Sequence, residues 1–256
     1  MRLGRRRGPA AGSPPGLNLN KLSIMLRRLL TKVNARLSGY QNFDPQTNGE
    51  RRFLAKSIEI GDGIVFDIGA NRGEWAKQAM AFHPRARLHC FEPGGAAFRE
   101  LTADLGDRVQ AHNVAVSSEP GTVVLHAAED SEQSSLFSRR HLGDARSETV
   151  EAVTIDQICE REGIEEIALL KIDTEGNELA VLQGAVGTLP RIKAIQFEYG
   201  GTAVDARIYL RDFFDLLSGR FDLYRLWRFG MIHEPSWHEM LELAAYQNWV
   251  CIQRQS

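Results

Sequence analysis

The stretch Ile64-Val65-Phe66-Asp67-Ile68-Gly69-Ala70-Asn71-Arg72-Gly73 restricts the possible folds of this chain more than any other. Four of its first five residues are β-branched or aromatic and apolar, the pattern of a short strand buried on both faces. Gly69 and Gly73 punctuate the turn after this strand, and Trp75, Ala79 and Phe82 then recur at helical spacing. Strand, glycine turn and helix make the first half of a nucleotide-binding βαβ unit, which calls for an α/β sheet. Gly69 allows a sharp turn without a Cβ clash, and Gly73 allows a ligand or strand to approach the new helix closely. The spacing is Asp67-x-Gly69-x-x-x-Gly73 rather than G-x-G-x-x-G. Asp67 would repel a pyrophosphate at this turn and attract a cation.

A cofactor with sulfonium and ammonium charges, S-adenosylmethionine, therefore suits the turn better than NAD does. The plainer alternative is an ordinary strand-to-helix turn of an α/β protein.

The same pattern recurs down the chain. Leu88 to Glu92 reads as a second strand, closed by Pro93-Gly94-Gly95. A carboxylate at its end is placed to accept both hydroxyls of a ribose, unless Glu92 is simply a solvated strand end. Ala168 to Ile172 is another buried strand, running into Asp173-Thr174-Glu175-Gly176, and Leu179, Leu182 and Val186 turn inward on the helix beyond. Ala194 to Phe197 ends in Glu198. In an open α/β sheet, ligands bind beyond the carboxyl ends of the strands near the switch point. Asp67, Glu92, Asp173 and Glu198 are thus expected to converge there. Their repulsion has to be offset by a cation: a sulfonium, a metal or Lys171. Helix capping is the alternative for Glu175 and Asn177.

The remaining elements fill in the sheet. A short helix is expected around 51–60, another over 98–105, a third strand over 109–116, and a helix over 156–162. Strands over 122–127 and 150–155, around a polar segment at 129–148, form a β excursion from the alternating pattern. A helix over 210–217 precedes the last two strands at 221–227 and 248–253. Between those strands, 228–246 is expected to be a loop and helix over the site. Its His233 and His238 fit packing or surface positions better than metal ligation.

Charge divides the chain unevenly. Nine of the 31 Lys and Arg residues lie in the first 38 positions, which hold no Asp or Glu, so the remainder sets 22 basic against 33 acidic residues. A domain that acidic is not a nucleic-acid binder, because phosphate contacts need a basic surface. Residues 1–16 form a basic tail too poor in apolar residues to fold. Residues 17–44 are expected to hold an amphipathic helix and a connector, with Leu22, Met25, Leu26, Leu29 and Val33 on one face and Lys21, Arg28 and Lys32 along its edge. The apolar run is too short to span a bilayer. The segment 17–38 can dock on its own domain or lie on an anionic membrane surface; docking is the preferred reading. Cys90, Cys159 and Cys251 have no metal-ligand spacing, which fits buried thiols in a reducing cytoplasm.

Taken together, Val65-Phe66-Asp67-Ile68-Gly69-Ala70-Asn71-x-Gly73, Phe91-Glu92-Pro93, Asn113-x-Ala115-Val116, Ser134-Ser135-Leu136, Leu170-Lys171-Ile172-Asp173-x-Glu175-Gly176 and Phe197-Glu198 resemble, in this order, the FkbM-type methyltransferases. The resemblance covers roughly residues 45–253, and Lys171 to Gly176 is its most specific part. It implies a class I, Rossmann-like methyltransferase fold over 45–256: a mostly parallel seven-stranded sheet with helices on both faces. It also implies O-methylation of a hydroxyl on a sugar, a glycolipid or polysaccharide, or a polyketide-type metabolite. Asp67, Gly69, Ala70, Asn71 and Gly73 would hold the methionine part of S-adenosylmethionine, Glu92 the ribose, and Asn113-Val114 the adenine edge, with Asp173 close by. Asp173 is the first candidate for the base and Glu198 the second, with Lys171 beside them. A divalent ion held by these carboxylates is the alternative way to activate the alcohol. Two rivals belong to other classes: an NAD-dependent oxidoreductase, which would want the G-x-G-x-x-G turn, and a non-catalytic binding module that kept the fold.

Overall fold

The computed structural model describes residues 42–127, 134–135, 146–243 and 245–255, together with Leu30. The basic tail, all of the amphipathic segment but Leu30, and Leu136 of the Ser134-Ser135-Leu136 motif lie outside the described residues. Residues 39–256 form one compact unit.

In chain order the elements are β1 (Ile64–Ile68), α1 (Glu74–Phe82), β2 (Arg87–Phe91), α2 (Gly95–Leu105), β3 (Gln110–His112), β4 (Ala115–Val116), β5 (Gly121–Ala127), β6 (Ser134–Ser135), β7 (Arg146–Val153), α3 (Ile155–Glu162), β8 (Leu169–Ile172), α4 (Glu178–Gln183), β9 (Ala194–Tyr199), α5 (Gly201–Ala206), α6 (Leu210–Leu217), β10 (Phe221–Trp227), β11 (Gly230–His233) and β12 (Gln247–Gln253). The main sheet runs β11-β10-β12-β9-β8-β1-β2-β3. Strands β3, β2, β1, β8 and β9 are parallel, and β12, β10 and β11 complete the sheet antiparallel. The chain builds outward from β1 in one direction and from β8 in the other, so the switch point lies between these two strands.

Both faces of this sheet are covered, which is why β1 is buried along its whole length. Ile64, Phe66 and Ile68 pack with α3, α4 and α6 through Ile158, Val181, Leu182, Phe213 and Phe214. Val65, on the opposite face, packs with Trp75, Ala76 and Ala79 of α1, Leu101 and Leu105 of α2, and Phe53 and Leu54. Phe53 and Leu54 belong to a π-helical turn, Phe53–Ser57, which continues one α turn at Glu50–Arg52 where a single short helix was expected.

The β excursion is a second sheet, ordered β4-β7-β5-β6. It splits the expected strand over 109–116. Asn113 donates through Nδ2 to the carbonyls of Glu92 (2.8 Å) and Pro93 (3.1 Å), and this pulls the chain off the edge of the main sheet. Ala115 and Val116 then pair with Ala152 and Val153 of the second sheet.

The segment 228–246 also differs from the expected loop and helix. Arg228 and Phe229 form a two-residue turn, Trp227 opposes Gly230, and β11 adds an eighth strand beside the expected set. A short 3-10 turn, Glu239–Leu241, is the one helical piece after it among the described residues. The expected helix over 210–217 is found as α6; α5 had no periodic signal and was not expected.

Candidate active site

The loop after β1 rests on the neighbouring strand. Gly69 N and Ala70 N both donate to the carbonyl of Phe91, at 2.9 and 3.0 Å. Gly69 has φ 79°, and a Cβ built on it would lie 1.9 Å from the backbone oxygen of Asp173. The turns after β1 and β8 therefore touch through a position that only glycine can fill. Asn71 follows in the left-handed region at φ 47°. Gly73 precedes α1 with φ 82°, and a Cβ built on it would lie 2.7 Å from Leu105 Cδ1 of α2, so this turn packs closely on the second helix.

Period-two alternation places a polar row on the α1 face of the sheet. Asp67 is register partner of Lys171, Lys171 of Gln196, and Glu198 of Asn248. Lys171 Nζ lies 3.2 Å from Asp67 Oδ1 and 3.4 Å from Asp173 Oδ2, with the Trp75 ring 5.7 Å away. Lys171 is the one buried cationic side chain among the described residues. Burial alone would lower its pKa, but Asp67, Asp173 and Glu50 outweigh that and hold it raised. Asp67 is wholly buried, and neither of its oxygens makes a well-directed hydrogen bond among the described residues. Burial raises its pKa, and the Lys171 charge offsets part of the rise.

Glu50 was not foreseen. It enters the row from the N-terminal turn, accepting from Asn248 Nδ2 at 2.8 Å, Gln196 Nε2 at 3.2 Å and the Asn48 amide. It lies just before the helix expected around 51–60, in a stretch with no periodicity to mark it. Gln196 and Asn248 did carry a signal, as polar residues within otherwise apolar strands.

The expected carboxylates take different positions around this row. Asp173 is 39% exposed along its side chain against 0% for Asp67, so it is the member of the Lys171 pair that solvent reaches. The Glu198 carboxyl is pushed well above the usual range, first by burial and then by Asp173, Glu175, Glu178 and Glu50. Glu92 stands to the other side of β1. Its Oε2 accepts from Asn71 N at 2.8 Å and its Oε1 from Gly94 N at 2.7 Å, which joins the first and second loops. Each of these oxygens keeps a lone pair for a hydroxyl donor. Asn113 is exposed beside it and Val114 half-buried. The loop 173–177 is braced by Glu178, which accepts from Thr174 N, Thr174 Oγ1 and Gly176 N at 2.9–3.1 Å. Asn177 does not cap α4 with its side chain; its Nδ2 donates to the Val116 carbonyl at 2.9 Å.

A buried surplus of carboxylate over cation at the switch point, next to a turn closed by Gly69, fits a cationic cofactor such as S-adenosylmethionine. The fold and this charge pattern define the class I methyltransferases. Residues 67–241 match the model of the methyltransferase FkbM domain, and the chain belongs to that family of S-adenosylmethionine-dependent methyltransferases. It is 28% identical to the 2-O-methyltransferase NoeI of Sinorhizobium fredii, over 65% of this chain and 75% of that protein. It is 30% identical to the 31-O-demethyl-FK506 methyltransferase FkbM of Streptomyces tacrolimicus, over 58% of this chain and 70% of that protein.

Proposed function

We propose that the protein transfers a methyl group to a hydroxyl oxygen, the acceptor being a sugar, a glycolipid or polysaccharide, or a polyketide-type metabolite. The relatives' names support an oxygen acceptor, since both describe O-methylation. S-adenosylmethionine supplies an electrophilic methyl on its sulfonium. The protein has to align the acceptor oxygen and take its proton.

The observation that carries the assignment of roles is the contrast between Asp173 and Glu198. Asp173 is partly exposed and paired with the Lys171 ammonium. Burial and like charges hold the Glu198 carboxyl toward its protonated form. Asp173 is therefore the base, and Glu198 a hydrogen-bond donor that orients the acceptor. Lys171 is a positioning residue, fixed between Asp67 and Asp173. Asp67 and the backbone of Gly69, Ala70 and Asn71 shape the methionine end of the site, Glu92 takes the ribose hydroxyls, and Asn113-Val114 lie along the adenine.

The test is a panel of sugars, glycosides and hydroxylated polyketides incubated with the full-length protein and methyl-labelled S-adenosylmethionine. Label in an alkali-stable ether of one acceptor class is the expected result. Transfer only to nitrogen or carboxylate acceptors would overturn the reading.

A further inference from the structure

A second group of ligand-type side chains lies on the opposite face of the sheet from Lys171. His89 of β2 and His112 of β3 stand on the face that carries Phe66 and Phe91, and Glu162 ends the helix α3 that packs there. The register explains why they meet: His112 pairs with Phe91, two residues beyond His89, so both imidazoles project to one side. The rings are stacked, 5.6 Å between centroids and 11° apart in plane. His89 Nδ1 lies 3.3 Å from Glu162 Oε2 and 3.4 Å from His112 Nε2. One ligand atom from each of the three residues falls within 4.8 Å of the others.

Hydrogen bonding alone serves this triangle poorly. His89 Nδ1 carries at most one proton, yet a carboxylate oxygen and a second ring nitrogen both approach it. A neutral imidazole has one unprotonated ring nitrogen, so His89 and His112 can each offer a lone pair to a cation. Ligand atoms about 2.0–2.2 Å from a tetrahedral zinc stand roughly 3.3–3.6 Å apart. The two separations around His89 Nδ1 fall in that range, while His112 Nδ1 and Glu162 Oε1, at 4.0 Å, would have to draw closer around an ion. Gln110 Nε2 donates to Glu162 Oε2 at 3.2 Å, the kind of outer contact that orients a ligating carboxylate. A cavity of about 730 Å3, lined in part by Asp62, Arg87, Gln110 and Glu162, opens beside His89 and offers an entry path and room for a water ligand.

We propose that His89, His112 and Glu162 form a binding site for a divalent transition metal, zinc by its nitrogen and oxygen donors. The ion would tie β2, β3 and α3 together beneath the cofactor loops. The carbonyl of His112 accepts from Glu92 N at 3.0 Å, and Asn113 follows it directly. Zinc here would thus steady the residues assigned to the ribose and adenine, a consequence that rests on those assignments; the metal site itself does not.

The test is zinc titration of the full-length, chelator-treated protein, by calorimetry and against a chromophoric indicator, with cobalt as a spectroscopic substitute. One equivalent of tightly bound zinc is expected, with the intense visible bands of a low-coordinate cobalt site. Outer partners of a metal ligand alone cost about 10–100-fold in affinity, so His112→Ala and Glu162→Gln should each lose at least ~100-fold. Circular dichroism establishes that the variants fold, and Glu162→Gln decides the matter if His112→Ala does not. Asp173→Asn should leave zinc affinity unchanged. Wild-type affinity in Glu162→Gln, loss of zinc in Asp173→Asn, or no tight zinc in the parent protein would each overturn the proposal.

Discussion

Lys171 is held in place by its neighbours more than by its own chemistry. One ammonium answers a wholly buried Asp67 on one side and a partly exposed Asp173 on the other. Removing the charge from Asp173 should therefore separate chemistry from binding. Asp173→Asn keeps the shape, so S-adenosylmethionine affinity measured by calorimetry should stay within a few fold, while single-turnover methyl transfer falls at least ~100-fold. A wild-type rate in that variant would move the base to Glu198. Glu92→Ala should do the reverse. It removes acceptors for the ribose hydroxyls, at about 1.5–3 kcal/mol per bond to a charged group, and it also frees the Asn71 and Gly94 amides. Cofactor affinity should drop sharply and the melting temperature with it; unchanged affinity would remove Glu92 from the cofactor site.

At the scale of elements, the site depends on two turns that touch. Gly69→Ala would put a methyl 1.9 Å from the Asp173 carbonyl and force alanine to φ 79°. Backbone strain of that kind costs about 1–3 kcal/mol before the clash is counted. The variant should melt at least several degrees lower and bind cofactor weakly; a wild-type melting curve would mean the turns can separate without cost. Much of this architecture was readable from residues alone. Asp67, Glu92, Asp173 and Glu198 could be read because a carboxylate at or next to the end of an apolar run marks both a buried strand and its exit, although β1 and β9 each run one residue beyond theirs. Helix α6 could be read because Leu210, Phe213, Phe214 and Leu217 keep a clean period. The break between β3 and β4 could not, since Asn113 makes it by bonding to carbonyls in a loop 20 residues away. Glu50 was hidden for the same reason: its partners Gln196 and Asn248 are 146 and 198 residues distant in sequence. The meeting of His89 and His112 needed the register of β2 against β3, which no local period encodes.

Over the whole molecule, burial raises the pKa of Glu50, Asp67, Glu92, Glu178 and Glu198. A carboxyl raised in the folded state holds a proton that the unfolded chain has released. Stability is then greatest below the ordinary carboxylate pKa and declines as pH rises toward the folded value. His89 and His112 are lowered and work the other way, but only below about 6.5, their unfolded value. Above that pH the raised carboxyls, Glu198 foremost, no longer meet this opposition. The melting temperature of cofactor-free Glu198→Gln should decline with pH, above the ordinary carboxylate value of 4.5, less steeply than that of the parent protein. Identical profiles would contradict the burial of Glu198.

The row of carboxylates around Lys171 has a further consequence for the charge balance of a catalytic cycle. A cation entering this row favours the ionised carboxyls, so cofactor capture should expel protons into solution. Calorimetric heats measured in buffers of different ionisation enthalpy would then diverge. Methylation of an alcohol consumes the sulfonium charge and liberates one proton, and the row becomes more basic as that charge disappears. The thioether product should accordingly bind with less proton release than S-adenosylmethionine does. Site and substrate would trade one positive charge for another, with the interior electrostatics nearly constant from one state to the next.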